Sequence, residues 1–137
     1  RRPYPGEAVY AMQLEYPGGP VHDEVLIDKS RTPHFLYCTE RLSQGVLYHS
    51  CGLLNLKSLQ ATNLFGSVSD QGEGCPPDFA GRSFGRAGWY SFHVTDWNRD
   101  GYRDVVVTGT EENCKTHKRV RIQRVFVATK SGFRRLK

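Results

Sequence analysis

Asp96-Trp97-Asn98-Arg99-Asp100-Gly101-Tyr102-Arg103-Asp104, running directly into Val105-Val106-Val107, is the stretch on which the reading of this chain turns. Oxygen-bearing side chains recur at Asp96, Asn98 and Asp100, Gly101 permits a sharp reversal, and Asp104 closes the run. Calcium takes six to eight oxygens at about 2.3–2.6 Å, which a short loop delivers by alternating ligand residues with outward-pointing ones. The expected ligands are Asp96, Asn98, Asp100, the carbonyl of Tyr102, and Asp104. Val107 stands where a helix–loop–helix site places its bidentate Glu, so the loop opens a strand and not a second helix. Two other readings use the same residues. Asp-Gly between apolar runs is a hairpin signal, and Arg99 and Arg103 are placed to pair with the carboxylates. A hairpin turn alone, however, does not require three further oxygen residues at alternating positions.

Working outward, the pattern is that of strands. Trp89 to Val94 leads into the loop and Arg103 to Thr108 leaves it. A long strand carries Val120, Ile122 and Phe126 on one face, and a short segment follows around Phe133. Towards the N-terminus, an extended lead-in (1–7) precedes Ala8 to Tyr16, which alternates with period two, as half-buried strands do. Val21 to Ile27 is expected to be a second strand. Phe35–Thr39 and Val46–Cys51 form a hairpin about Ser43-Gln44-Gly45. Leu53 to Gln60 fits strand or short helix, with strand preferred, and 66–88, rich in Gly, Ser, Pro and Asp, is expected to be a long irregular loop. About eight strands with turn signals between them argue for a single all-β domain, an antiparallel β-sandwich or barrel.

A chain of 137 residues suits one domain, and no apolar run approaches the roughly 20 residues of a membrane-spanning helix. Cys38, Cys51, Cys75 and Cys114 allow three pairings. The symmetry of the hairpin favours Cys38–Cys51, leaving Cys75–Cys114, and an even count at strand ends and loops favours an oxidising compartment. Net charge is +5, much of it in the last quarter, but no nucleic-acid-binding motif accompanies it, so a solvated basic strand face is preferred to nucleic-acid binding. The chain begins at Arg1. A removed secretory or lipoprotein leader is one account of that start, and it carries the expectation of a lipid anchor upstream.

The last third combines an aromatic strand, the Asp-x-Asn-x-Asp-Gly-Tyr-x-Asp loop followed by three valines, and a strand ending in Thr129-Lys130-Ser131-Gly132-Phe133. Trp89 to Leu136 thereby resembles bacterial periplasmic inhibitors of invertebrate-type lysozyme and related immunity proteins against secreted peptidoglycan-cleaving effectors. The resemblance implies a periplasmic β-protein with a structural calcium that blocks a muramidase or lysozyme by inserting a loop into its cleft. The nearest counterpart of that glycine-containing loop is Arg86-Ala87-Gly88-Trp89-Tyr90, which lacks the family's Ser. Integrin-type propeller repeats share the acidic loop. Arg82, Arg86, Trp89 and Tyr90 are the expected partner contacts, since basic and aromatic side chains suit an acidic sugar-binding groove.

His22, His34, His49, His93 and His117 are scattered, and no nucleophile-elbow or phosphate-loop motif occurs, so no enzymatic activity is expected. The other reading is a calcium-dependent glycan-binding or adhesion module.

Overall fold

The structure is a computed structural model that describes residues 23–78, 81 and 83–136. The expected strand at Ala8–Tyr16 and residue Arg82 lie outside the described residues. The eight described strands are β1 (Asp23–Ile27), β2 (Pro33–Ser43), β3 (Val46–Asn55), β4 (Ala61–Asp70), β5 (Arg86–Thr95), β6 (Asp104–Asn113), β7 (Arg119–Thr129) and β8 (Gly132–Arg135). They form two antiparallel four-stranded sheets, β1-β2-β3-β4 and β5-β6-β7-β8, each an up-and-down meander. No helix occurs among the described residues, and the two sheets do not close into a barrel.

Alternation decides what faces inward. In β1 Leu26 is fully buried, while Val25 and Ile27 face out, 44% and 52% exposed. Leu36, Leu53 and Phe65 from the first sheet meet Val105, Val107, Phe126 and Phe133 from the second in one core. Val106, Val125 and Val127 form a separate buried cluster on the opposite face of the second sheet.

The β2–β3 hairpin forms as expected. Ser43 pairs with Val46 and the turn is Gln44-Gly45, both at positive φ (53° and 79°), the two-residue geometry that matches strand twist. Cys38 lies directly opposite Cys51 and is bonded to it. Cys75–Cys114 ties the β4–β5 connection to the β6–β7 turn.

Three expectations are corrected. The irregular connection spans only 71–85, because Gly66 to Asp70 continue β4 against Ser50 to Val46. Ladder pairing outweighs the weak strand preference of Gly and Ser there. Leu53–Gln60 is not one strand: β3 ends at Asn55, whose Oδ1 accepts from the Lys57 and Ser58 N–H groups (2.8 and 2.9 Å) and turns the chain. Arg86 to Tyr90 is not a loop but the start of β5, paired along its length with β6.

At one end a joint holds the sheets together. Lys29 N donates to Thr129 O (2.9 Å), and the His34 ring meets Phe133 edge-on at 5.0 Å. Behind it, buried Asp28 accepts from Ser30 N, Ser30 Oγ and Thr32 N, and lies 2.9 Å from His34 Nε2. Burial pushes the Asp28 carboxyl up, but these partners outweigh it and hold the group below the usual range. Ser30 and His34 both bond the carboxylate rather than each other, so this trio braces a turn and is not arranged as a nucleophile and its base.

Candidate functional site

The acidic loop connects β5 to β6 and folds around its own carboxylates. Asp96 accepts from Asp100 N (3.1 Å) and Gly101 N (2.8 Å). Asp100 Oδ1 accepts from Tyr102 N (3.0 Å), and the Asn98 side chain also hydrogen-bonds Asp100. Asp104 is fully buried and bridges elements, accepting from Trp97 N and Ala128 N, each at 2.9 Å. Gly101 sits at φ 90°, as the reversal requires. Oxygen atoms of Asp96, Asp100 and Asp104 lie within 4.8 Å of one another.

Among the described residues, neither Arg99 nor Arg103, the expected competitors, pairs with these carboxylates. Arg103 turns outward to Glu24 and the Val25 carbonyl on β1. The cation at the loop is instead Lys29, from the β1–β2 turn, whose Nζ is 2.7 Å from Asp100 Oδ2. That oxygen is shielded from solvent and makes no hydrogen bond of good geometry, so the ion pair is its close contact. The pairing holds the Asp100 carboxyl below its ordinary pKa and the Lys29 ammonium above its own. Lys29 also lies 5.9 Å from the Tyr102 ring centroid. The loop thus brings Asp96, Asp100 and Asp104 together, with Asn98 bonded to Asp100 and a lysine ammonium already on one of the oxygens.

Of the expected partner contacts that are described, Arg86 and Tyr90 fall on one face of β5 and Trp89 on the other. Trp89 and Tyr90 are consecutive in a strand and point to opposite faces. Tyr90 faces the core and packs on Phe65 (centroids 5.0 Å). Its ring lies across Gly109, where an added Cβ would sit 2.4 Å from Tyr90 Cδ1, and its hydroxyl reaches over Gly88 to Glu111. Burial and the Glu111 carboxylate push the Tyr90 phenol up to about 12. Arg86, 74% exposed in its side chain, pairs with Glu111 at 3.1 Å, and Arg124 reaches the same carboxylate at 3.4 Å. Tyr90 thus packs and hydrogen-bonds on the core side of β5.

Trp89 stands on the other face, with the Arg119 guanidinium 5.1 Å from its ring centroid. Trp89, Ser91, Thr108, Thr110, Arg121 and Gln123 share this face by register and line a groove of about 550 Å³. On the first sheet, Arg41 covers Tyr48 at 4.4 Å. Arg119, Arg121 and Lys29 had no sequence signal beyond membership of a basic stripe or a turn. Strand register and the docking of the sheets give them their places. No family model, curated protein or solved structure matches this chain.

Proposed function

We propose that this protein is a periplasmic inhibitor of the immunity type, which binds and blocks a secreted peptidoglycan-degrading enzyme, a muramidase or lysozyme, on a two-layer β-sandwich scaffold. The observation that carries the reading is the Trp89–Arg119 pair beside Arg121 on the face of the second sheet turned away from the shared core. Glycan hydrolases work with two carboxylates in an open groove. Arg119, held on the Trp89 ring and tethered to Glu112 at 2.8 Å, and Arg121 beside it would oppose that charge while the ring occupies sugar-binding ground. Two disulfides and a shared core keep the face rigid, which lowers the ordering cost of binding. The disulfides are compatible with a periplasmic site, and no helix of the described residues is long and apolar enough to cross a membrane.

The acidic loop is proposed as a structural calcium site formed by Asp96, Asn98, Asp100, the Tyr102 carbonyl and Asp104. Support comes from the convergence of three carboxylates and from the shielded Asp100 Oδ2. A bound ion competes with Lys29 for that oxygen. A second reading, a calcium-dependent glycan-binding module, draws on the hydroxyls and amide beside Trp89, namely Ser91, Thr108, Thr110 and Gln123.

Calorimetric titration against muramidases and against soluble peptidoglycan fragments separates the two. The inhibitor reading expects a one-to-one complex with a muramidase that Arg119→Glu weakens by about tenfold or more, a loss near 1.4 kcal/mol. Binding to fragments with no muramidase complex would replace it with the glycan reading. For the loop, millimolar calcium is expected to raise the melting temperature relative to chelator, by linkage to an ion held only in the folded state. Asp100→Ala is expected to abolish that shift, and an absent shift in the unaltered protein would remove calcium from the proposal.

A further inference from the structure

Cys38-Thr39-Glu40 on β2 and His49-Ser50-Cys51 on β3 fold back upon each other. The register pairs Cys38 with Cys51 and Glu40 with His49. Residues two apart on a strand share a face, so these four side chains stand at the corners of a two-by-two patch on the inner side of the first sheet. His49 Nε2 is 3.8 Å from Cys51 Sγ and 3.9 Å from Glu40 Oε1. Ligand atoms of Cys38, His49 and Cys51 all lie within 4.8 Å of one another. Both cysteines are buried, and the His49 ring is set edge-on to Phe65 at 5.1 Å.

A clamp on the hairpin does not account for this patch. The strands are already joined by ten consecutive residue pairs and a tight turn, so the cystine links positions that the ladder already holds opposite each other. A half-buried imidazole and a carboxylate at the two remaining corners add nothing to such a clamp.

We propose that reduction of the Cys38–Cys51 disulfide opens a zinc site whose four ligands are the Cys38 and Cys51 thiolates, His49 Nε2 and the Glu40 carboxylate. Two sulfurs, one nitrogen and one oxygen make a four-coordinate zinc set, with bonds of about 2.0–2.3 Å. Tetrahedral ligands at those lengths are roughly 3.3–3.8 Å apart, close to the present His49–Cys51 and His49–Glu40 separations. The sulfur pair, now bonded, must separate, and the Glu40 carboxylate, near His49 but outside the group formed by Cys38, His49 and Cys51, must turn towards the sulfurs. A dithiol reductant supplies the two electrons: one thiolate attacks a cystine sulfur to give a mixed disulfide, and its second thiolate resolves it. The reductant leaves as its own disulfide, and its two protons pass to Cys38 and Cys51. Zinc then binds both sulfurs as thiolates and releases those protons. The oxidised protein has no such site, so the metal reports on the presence of dithiols.

The test uses the full chain, reduced with a dithiol, desalted without oxygen and titrated with cobalt(II) as a spectroscopic substitute for zinc. The expected result is one cobalt per chain with a thiolate-to-metal charge-transfer band, displaced by zinc and absent from the oxidised protein. The second cystine also has carboxylate and imidazole neighbours, Glu112 and His117, so the Cys75→Ser/Cys114→Ser variant is measured alongside and is expected to retain the band. Cys38→Ser is expected to lose it, and His49→Ala to weaken cobalt binding by more than about tenfold. An unchanged affinity in His49→Ala, or no band in the reduced protein, overturns the proposal. Should reduction unfold the chain, recovery of the strand circular-dichroism signal on adding zinc supports the site, and failure to recover it counts against. Binding at the acidic loop produces no thiolate band, so the calcium reading stands or falls separately.

Discussion

Tyr90 shows how one side chain organises its neighbours. Its ring occupies the space over Gly109, where a methyl group would also come within 2.5 Å of the Trp89 carbonyl. Backbone cannot yield as a flexible side chain can, so Gly109→Ala is expected to cost about 1–3 kcal/mol in urea denaturation. Gly66→Ala, with nothing within 4 Å of the new carbon, serves as its control and is expected to be neutral or slightly stabilising. The phenol adds a pH dependence. Tyr90 is held up to about 12 in the folded protein, against about 10 in an unfolded chain. Its neutral form therefore contributes fully below about pH 10, and the contribution is lost as pH rises from about 10 to about 12. The unaltered protein is expected to lose more stability than Tyr90→Phe across that window, and parallel urea midpoints for the two would remove Tyr90 from the account.

Between elements, the acidic loop is anchored by Asp104 more than by Asp100. Asp104 is fully buried and satisfies backbone N–H groups of Trp97 and of Ala128 in β7. Asp104→Ala leaves both donors without their acceptor, at about 1–3 kcal/mol each. Asp100→Ala removes the Lys29 ion pair and the acceptor of the Tyr102 N–H in a part-exposed turn, where solvent replaces most of what is lost. In metal-free buffer Asp104→Ala is expected to be much the more destabilising of the two, with faster hydrogen exchange at the Ala128 amide; equal losses would contradict the anchoring role. The loop, the β2–β3 hairpin and its cystine were legible in the sequence because each depends on residues close together in the chain. Lys29 on Asp100 and Arg119 on Trp89 were not, since docking of separate strands creates those neighbours. Gly66, Gly88 and Gly109 misled in the other direction. Glycine reads as a break, yet here two of the three are covered by the Tyr90 ring and Gly66 is held by pairing with Ser50.

At the scale of the molecule, the two sheets are consecutive in sequence, 23–70 and 86–135, and the cystine from Cys75 to Cys114 links their connection to the second sheet. Its 39-residue separation implies about 4 kcal/mol of stabilisation through restriction of the unfolded chain. Cys75→Ala/Cys114→Ala is expected to lower stability by about that amount in urea denaturation, and a loss below about 1 kcal/mol would mean that other contacts hold the 71–85 connection. The same bond has a consequence for cleavage of the chain. Pro77 and Asp78 are exposed and lie between the two bridged cysteines. A protease that severs the backbone there releases nothing: the halves, each bearing a complete meander, stay sutured through sulfur, and the cut becomes visible on a gel only after thiol treatment.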